Sequence, residues 1–204
     1  IKDIEISFDL FKGNAIDTIL NQVREYDPAM IIMGARGNKL EGLRTYSSIT
    51  AQVIKKAEIP VLAIPQNYDA SGVDHPKRVL YATNFDKTDY KALRRLSSFA
   101  KPFDAKIYCV HAALEDDNEM DEIEMRKVRN YLVDNIPEPN IECGILGTTD
   151  MQQGFENFIK EKNIDILAVT THKRNFIEKL YKPSVAKKFL FHSNIPLLVF
   201  QAKL

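Results

Sequence analysis

Two glycines and a pair of serines carry the first chemical suggestion in this sequence. Met33-Gly34-Ala35-Arg36-Gly37 is followed, after nine residues, by Ser47-Ser48. Glycines leaving a strand let the backbone approach a phosphate closely. A serine opening a helix adds a hydroxyl and N-terminal amides for the same anion. The same glycines can equally be turn residues that end a strand. Asp86, after Asn84-Phe85, is either a ligand-facing carboxylate or the N-cap of a helix starting near Thr88. His111 and His172 each follow a strand and would share one edge of a sheet, but a metal or pH-sensing pair there lacks a third ligand. Cys109 and Cys143 have no CxxC spacing and read as buried strand residues. Residues 115–124 hold seven carboxylates, followed by Arg126, Lys127 and Arg129. That order suits a helix macrodipole, and the EF-hand glycine and spacing are missing. No Gly-x-Ser-x-Gly elbow, Walker Gly-Lys-Ser, HExxH or kinase set occurs, so catalysis is not expected.

Composition narrows the function classes further. Lysine plus arginine equals aspartate plus glutamate, 28 against 28, so no net field favours nucleic acid or an anionic membrane. The apolar content of 45% suits a globular core. Two cysteines in 204 residues suggest a reducing compartment, and no apolar run reaches the length of a membrane span. The N-terminus has no signal-peptide pattern, and a cytoplasmic protein is the expectation.

The elements that must position these residues emerge from an internal repeat. Residues 27–65 align without a gap to residues 163–201. Met30-Ile31-Ile32-Met33 falls on Ile166-Leu167-Ala168-Val169, and both copies end in Ile-Pro followed by an apolar strand. Those closing strands are Val61-Leu62-Ala63-Ile64 and Leu197-Leu198-Val199-Phe200. The second copy reads as five strands alternating with helices: strands at 78–85, 106–112, 140–146, 166–170 and 197–201, with helices at 88–101, 118–134, around Phe155, and at 184–192. This pattern predicts an α/β, doubly wound, open parallel five-stranded sheet. The first copy opens at an expected strand over 4–11 and a helix with Ile16, Ile19, Leu20 and Val23 on one face, where the second copy reaches its third strand. Roughly 60 residues of the repeat would lie upstream of Ile1. The expected domains are 1–66 and 78–204, joined by a linker at 67–77 rich in turn formers.

With these residues in place, the sequence resembles the universal stress protein family. Gly34, Gly37 and Ser47-Ser48 match its Gly-x2-Gly-x9-Gly-Ser/Thr signature, and Glu58-Ile59-Pro60-Val61-Leu62 is similar to its closing strand. The resemblance implies tandem domains with strand order 3-2-1-4-5, an adenine-nucleotide α-hydrolase-like or flavodoxin-like layout, and a stress-response role. It implies that Met33, Gly34, Arg36, Gly37, Ser47 and Ser48 line a phosphate site for ATP or another adenine nucleotide, with Asp86 as an adenine-side residue in the second domain. Two departures stand out. The third signature glycine is Ser47, and the second copy reads Thr170-Thr171-His172-Lys173 with Pro183, retaining no glycine. The first domain is therefore expected to bind nucleotide and the second to be degenerate and structural. A protein-interaction scaffold without nucleotide is the alternative, and a slow ATPase the third reading.

Two architectural expectations follow from the resemblance. In the order 3-2-1-4-5, the strand over 4–11 would be parted from the strand over 30–33 by two strands, leaving a gap that further chain or another subunit fills. The two apolar closing strands should meet across a pseudo-twofold interface, within the chain or in a homo-oligomer, because an exposed apolar edge invites aggregation.

Overall fold

The computed structural model of the chain describes residues 5–35, 37–40, 43–46, 48–71, 74–113, 118–137, 139–171 and 194–202. In chain order these form α1 (Ala15–Tyr26), β1 (Ile31–Ala35), β2 (Gly37–Leu40), β3 (Leu43–Tyr46), α2 (Ser48–Lys56), β4 (Val61–Pro65), β5 (Arg78–Ala82), α3 (Lys87–Ala100), β6 (Lys106–Ala113), α4 (Asn118–Asn135), β7 (Ile141–Gly147), α5 (Met151–Lys162), β8 (Ile166–Thr171) and β9 (Leu197–Gln201). The expected helix over 184–192 lies outside the described residues.

One seven-stranded sheet runs in the order β1-β4-β9-β8-β5-β6-β7. Its last five strands, read from β7 to β9, give the order 3-2-1-4-5 within the second half, and all pair in parallel. The two closing strands meet inside one chain: β4 pairs antiparallel with β9, Val61 opposite Val199, Leu62 opposite Leu198 and Ala63 opposite Leu197. Both halves use their Ile-Pro step alike. Pro60 accepts a hydrogen bond from the Ile31 amide at 2.9 Å, and Pro196 one from the Leu167 amide at 3.0 Å. The proline carbonyl thus serves the ladder, while its missing N–H sits at the strand entrance, where no interior bond is lost.

Alternation along the strands sorts side chains into two cores. Val61, Ala63, Leu197 and Val199 face one side with Ile16 of α1, Val53 and Ile54 of α2 and Phe155 of α5. Leu62, Leu198 and Phe200 face the other with Leu93 and Leu96 of α3 and Val128 of α4. Each core is continuous across the β4–β9 seam, so the halves share their apolar interior. Gln201 adds a polar tie, donating from Nε2 to the Ile54 carbonyl at 2.8 Å.

Two sequence expectations differ from what is observed, and one element was not foreseen. Residues 5–11 form no strand, and Ile6, Phe8 and Leu10 are 69%, 92% and 97% exposed. Their alternation is that of a strand, but extended backbone needs a neighbouring ladder to hold it, and β1 ends the sheet with β4 on its one paired side. The strand expected over 78–85 stops at Ala82 because Phe85 adopts a left-handed φ of 59°. Finally, β2 and β3 form an antiparallel hairpin, Gly37 opposite Tyr46 and Leu40 opposite Leu43, between the signature glycines and α2.

The second half also carries a tight helix–loop contact. A Cβ placed on Gly154 of α5 would lie 2.9 Å from Thr148 Oγ1 and 3.0 Å from its Cβ. Thr148 is held there, its hydroxyl donating to the Asp150 carbonyl at 2.7 Å. A Gly→Ala change in an open helix interior stabilises by roughly 0.5–1 kcal/mol. Overpacking costs about 1–3 kcal/mol and wins here. Gly154→Ala should therefore lower stability in urea unfolding, and adding Thr148→Ala should recover part of the loss. A stabilised Gly154→Ala would show that α5 moves freely away from the loop.

Candidate functional site

In doubly wound sheets the ligand crevice lies beyond the carboxyl ends of the strands where the strand order reverses. The second half reverses between β5 and β8. Its crevice floor is a buried hydrogen-bond network built around Asp89, which is 4% exposed. Tyr81 donates from its hydroxyl to Asp89 Oδ1 at 2.7 Å, and Thr83 from its hydroxyl to Oδ2 at 2.7 Å. The amides of Asn84 and Asp86 approach Oδ2 at 3.2 and 3.3 Å. Because the Tyr81 proton is committed to Asp89, the Thr170 hydroxyl donates to the Tyr81 oxygen, 2.6 Å away. This contact joins β8 to β5 directly. Burial, reinforced by the Asp89 charge, pushes the Tyr81 phenol well above its ordinary value.

The Phe85 ring lies against His111, with centroids 4.2 Å apart. His111 Nδ1 sits 2.9 Å from the Thr83 carbonyl, which only accepts, so that nitrogen carries the proton. Its Nε2 faces Asp121 at 3.6 Å. Asp86 caps α3, accepting from the Thr88 amide at 2.8 Å and the Thr88 hydroxyl at 2.7 Å, and its own amide turns back to Asp89 in a capping box. His172, Lys173, Pro183 and Ser184 lie outside the described residues. Among the described residues no group of three His, Cys, Asp or Glu could hold a metal ion.

The first half presents a different surface. Met33 sits within β1 opposite Ala63, half-buried, and Gly34 follows opposite Ile64, exposed. A Cβ placed on Gly34 would meet none of the described residues within 4 Å. The first turn of α2 lies beside it: Thr50, fully buried, donates to the Gly34 carbonyl at 3.5 Å. Gly37 opens β2 and Ser48 opens α2, whose first turn holds no acidic residue. Arg36 and Ser47 lie outside the described residues. The end of β1 and the start of α2 are thus brought together, while Asp86 belongs to the other half's crevice. Sequence reading missed Asp89, although its place three residues after the N-cap is a visible capping-box signal.

Asp150, at the start of α5, and Gly147 border a groove of about 300 Å³, lined also by Gln153, Asn157 and Glu161. It lies at the carboxyl end of β7, beside the start of α5.

Solved structures share this architecture. A universal stress protein from Archaeoglobus fulgidus DSM 4304 superposes with a TM-score of 0.68 at 18% identity, over 91% of this chain and 64% of that one. A protein of unknown function from Pseudomonas aeruginosa PAO1 gives 0.62 at 14% identity, covering 93% of this chain and 69% of its own. A universal stress protein in complex with cAMP gives 0.52 at 17% identity, over 62% of this chain and 97% of that one. At these identities the likeness speaks for the fold, and the chain spans less than two thirds of the Archaeoglobus structure. No curated protein matches significantly. The universal stress protein model matches twice in tandem, over residues 1–65 and 75–201, and the chain therefore belongs to the universal stress protein family.

Proposed function

We propose that the chain is a stress-response module whose first half holds the phosphates of an adenine nucleotide at Gly34, Gly37 and the start of α2, while its second half is structural. The observation that carries this reading is the contrast between the surface around Gly34 and the side chains around Asp86. Among the described residues nothing lies within 4 Å of a Cβ placed on Gly34, which supports close approach of a phosphate to the backbone, whereas Phe85 packs on His111 and the Asp89 carboxylate beside Asp86 is already engaged by Tyr81 and Thr83. Charge argues the same way. Asp86 and Asp89 at the second site repel phosphate, while α2 presents a helix N-terminus without an acidic residue in its first turn. The related structure crystallised with cAMP makes an adenine nucleotide the ligand to test first.

The same reading takes residues 1–66 and 78–204 as the two domains, and nucleotide binding rather than turnover as the activity. A second reading, an interaction scaffold that binds no nucleotide, is favoured by the exposed stripe of Ile6, Phe8 and Leu10. Equilibrium dialysis of the full chain against ATP separates them. Saturable binding of one ATP per chain, without ADP formation, supports the nucleotide module. No saturable binding supports the scaffold, and steady ADP release would make the chain a slow ATPase.

A further inference from the structure

Cys109 and Cys143 lie 34 positions apart in sequence but are direct register partners in the parallel pair β6–β7. Register partners in neighbouring strands project to the same face, with backbones about 4.8 Å apart. The two thiols are near enough for each to shift the other's titration. Their surroundings differ. Cys109 is fully buried within the core formed by α3 and α4, and Cys143 is half-buried beside it. Arg129 of α4 donates from Nη2 to the Cys143 carbonyl at 3.0 Å, bringing a guanidinium to this residue.

We propose that Cys109 and Cys143 form a reversible redox site, in which a hydroperoxide oxidises the pair to a cross-strand disulfide. Cys143 is the attacking sulfur and Cys109 the resolving one. The neighbouring Cys109 thiol and the nearby Arg129 charge hold the Cys143 thiol below its ordinary range, while the Cys143 thiol and burial push Cys109 well up. A lowered, accessible thiol reacts first, and a buried neighbour with a raised value waits.

The chemistry balances without any further reactant. The Cys143 thiolate attacks one peroxide oxygen, an S–O bond forms and the O–O bond breaks, and the released alkoxide takes a proton to leave as an alcohol, or as water from hydrogen peroxide. Cys109 sulfur then attacks the Cys143 sulfenic acid. The S–S bond forms, the S–O bond breaks, and hydroxide leaves as water with the Cys109 proton. Two thiols lose two electrons and the peroxide gains them.

Geometry makes the disulfide reversible. A backbone separation of about 4.8 Å lies within the range that disulfides span, but Cβ atoms must close to about 3.8 Å. One of the two strands has to shift, and β7, paired on one side only among the described residues, is the one less held by the ladder. The strain left in such a bond favours its reduction by thiols.

The test treats the full chain with hydrogen peroxide, alkylates remaining thiols under denaturing conditions, and maps peptides by mass. The expected result is loss of both alkylatable thiols and a single intrachain linkage between Cys109 and Cys143, reversed by dithiothreitol. In Cys109→Ala, dimedone should trap a sulfenic acid at Cys143. In Cys143→Ser, Cys109 should oxidise at least about tenfold more slowly. Retention of both thiols at peroxide levels that oxidise free cysteine would overturn the proposal, as would linkages only between chains or dimedone captured at Cys109 instead. The wild-type measurement decides the linkage even if a variant folds poorly.

Discussion

Asp89→Ala should destabilise the full chain by about 3–5 kcal/mol, the range for removing one partner from a buried charged network. Four donors converge on this carboxylate: the Tyr81 and Thr83 hydroxyls and the amides of Asn84 and Asp86. A single neutral hydrogen bond is worth only about 1 kcal/mol. Here the larger cost comes from donors left buried without an acceptor, because the network is too enclosed for water to replace the carboxylate at each of them. Asp89→Asn keeps the shape but turns one oxygen into a donor that meets other donors, so it should also destabilise. Urea unfolding checks both, against Asp134→Ala on the exposed side of α4 as the control. A loss below about 1 kcal/mol for Asp89→Ala would mean that the network relaxes around the gap.

Val199→Asp should be at least as damaging, by about 4 kcal/mol or more, and should remove cooperative folding of both halves together. Val199 is fully buried opposite Val61, at the seam where the two closing strands pair. An aspartate there loses its hydration with no cation among the residues of that core cluster. Val61→Asp, on the other side of the seam, should give the same result, because both residues belong to one core. Val133→Asp on α4, where the valine is 74% exposed, should change stability by less than about 0.5 kcal/mol. If Val199→Asp unfolded only the second half, with β4 and α2 still protected from hydrogen exchange, the shared-core account would fail.

Much of this seam was legible in the sequence. Strands buried on both faces read as continuous apolar runs, and the Ile-Pro step before each closing strand marked the two copies as equivalent. Alternation of strands with helices pointed to a doubly wound parallel sheet, and the family resemblance implied the order of the second half. The stretch over 5–11 shows the limit of such reading. Its alternating Ile6, Phe8 and Leu10 carry a strand pattern, but pattern specifies which face would be buried, not whether a neighbour is present to pair. The candidate site divides along the same line. Gly34 and Gly37 stood out as candidates once their spacing was read with the repeat and the closing strand. Asp89's capping position was visible in the spacing, but its network was not, because the carboxylate turns inward only when Tyr81 and Thr83 reach it from β5 and the turn after it. Likewise, nothing within either strand announces that Cys109 stands opposite Cys143. That fact lives in the register between strands.

The central claim concerns which half holds the nucleotide, and calorimetric titration of ATP into three forms of the full chain tests it most directly. Gly34→Val adds a side chain where the chain has open space and keeps a residue type that suits a strand, so it alters the ligand's approach and leaves the fold intact. Asp86→Asn removes a charge from the second crevice and retains a good N-cap for α3. The account predicts saturable binding to the unaltered chain, a loss of at least about tenfold in affinity with Gly34→Val, and little change with Asp86→Asn. Binding that survives Gly34→Val and weakens with Asp86→Asn would place the nucleotide in the second half and contradict the account, as would a titration without saturable heat in all three forms.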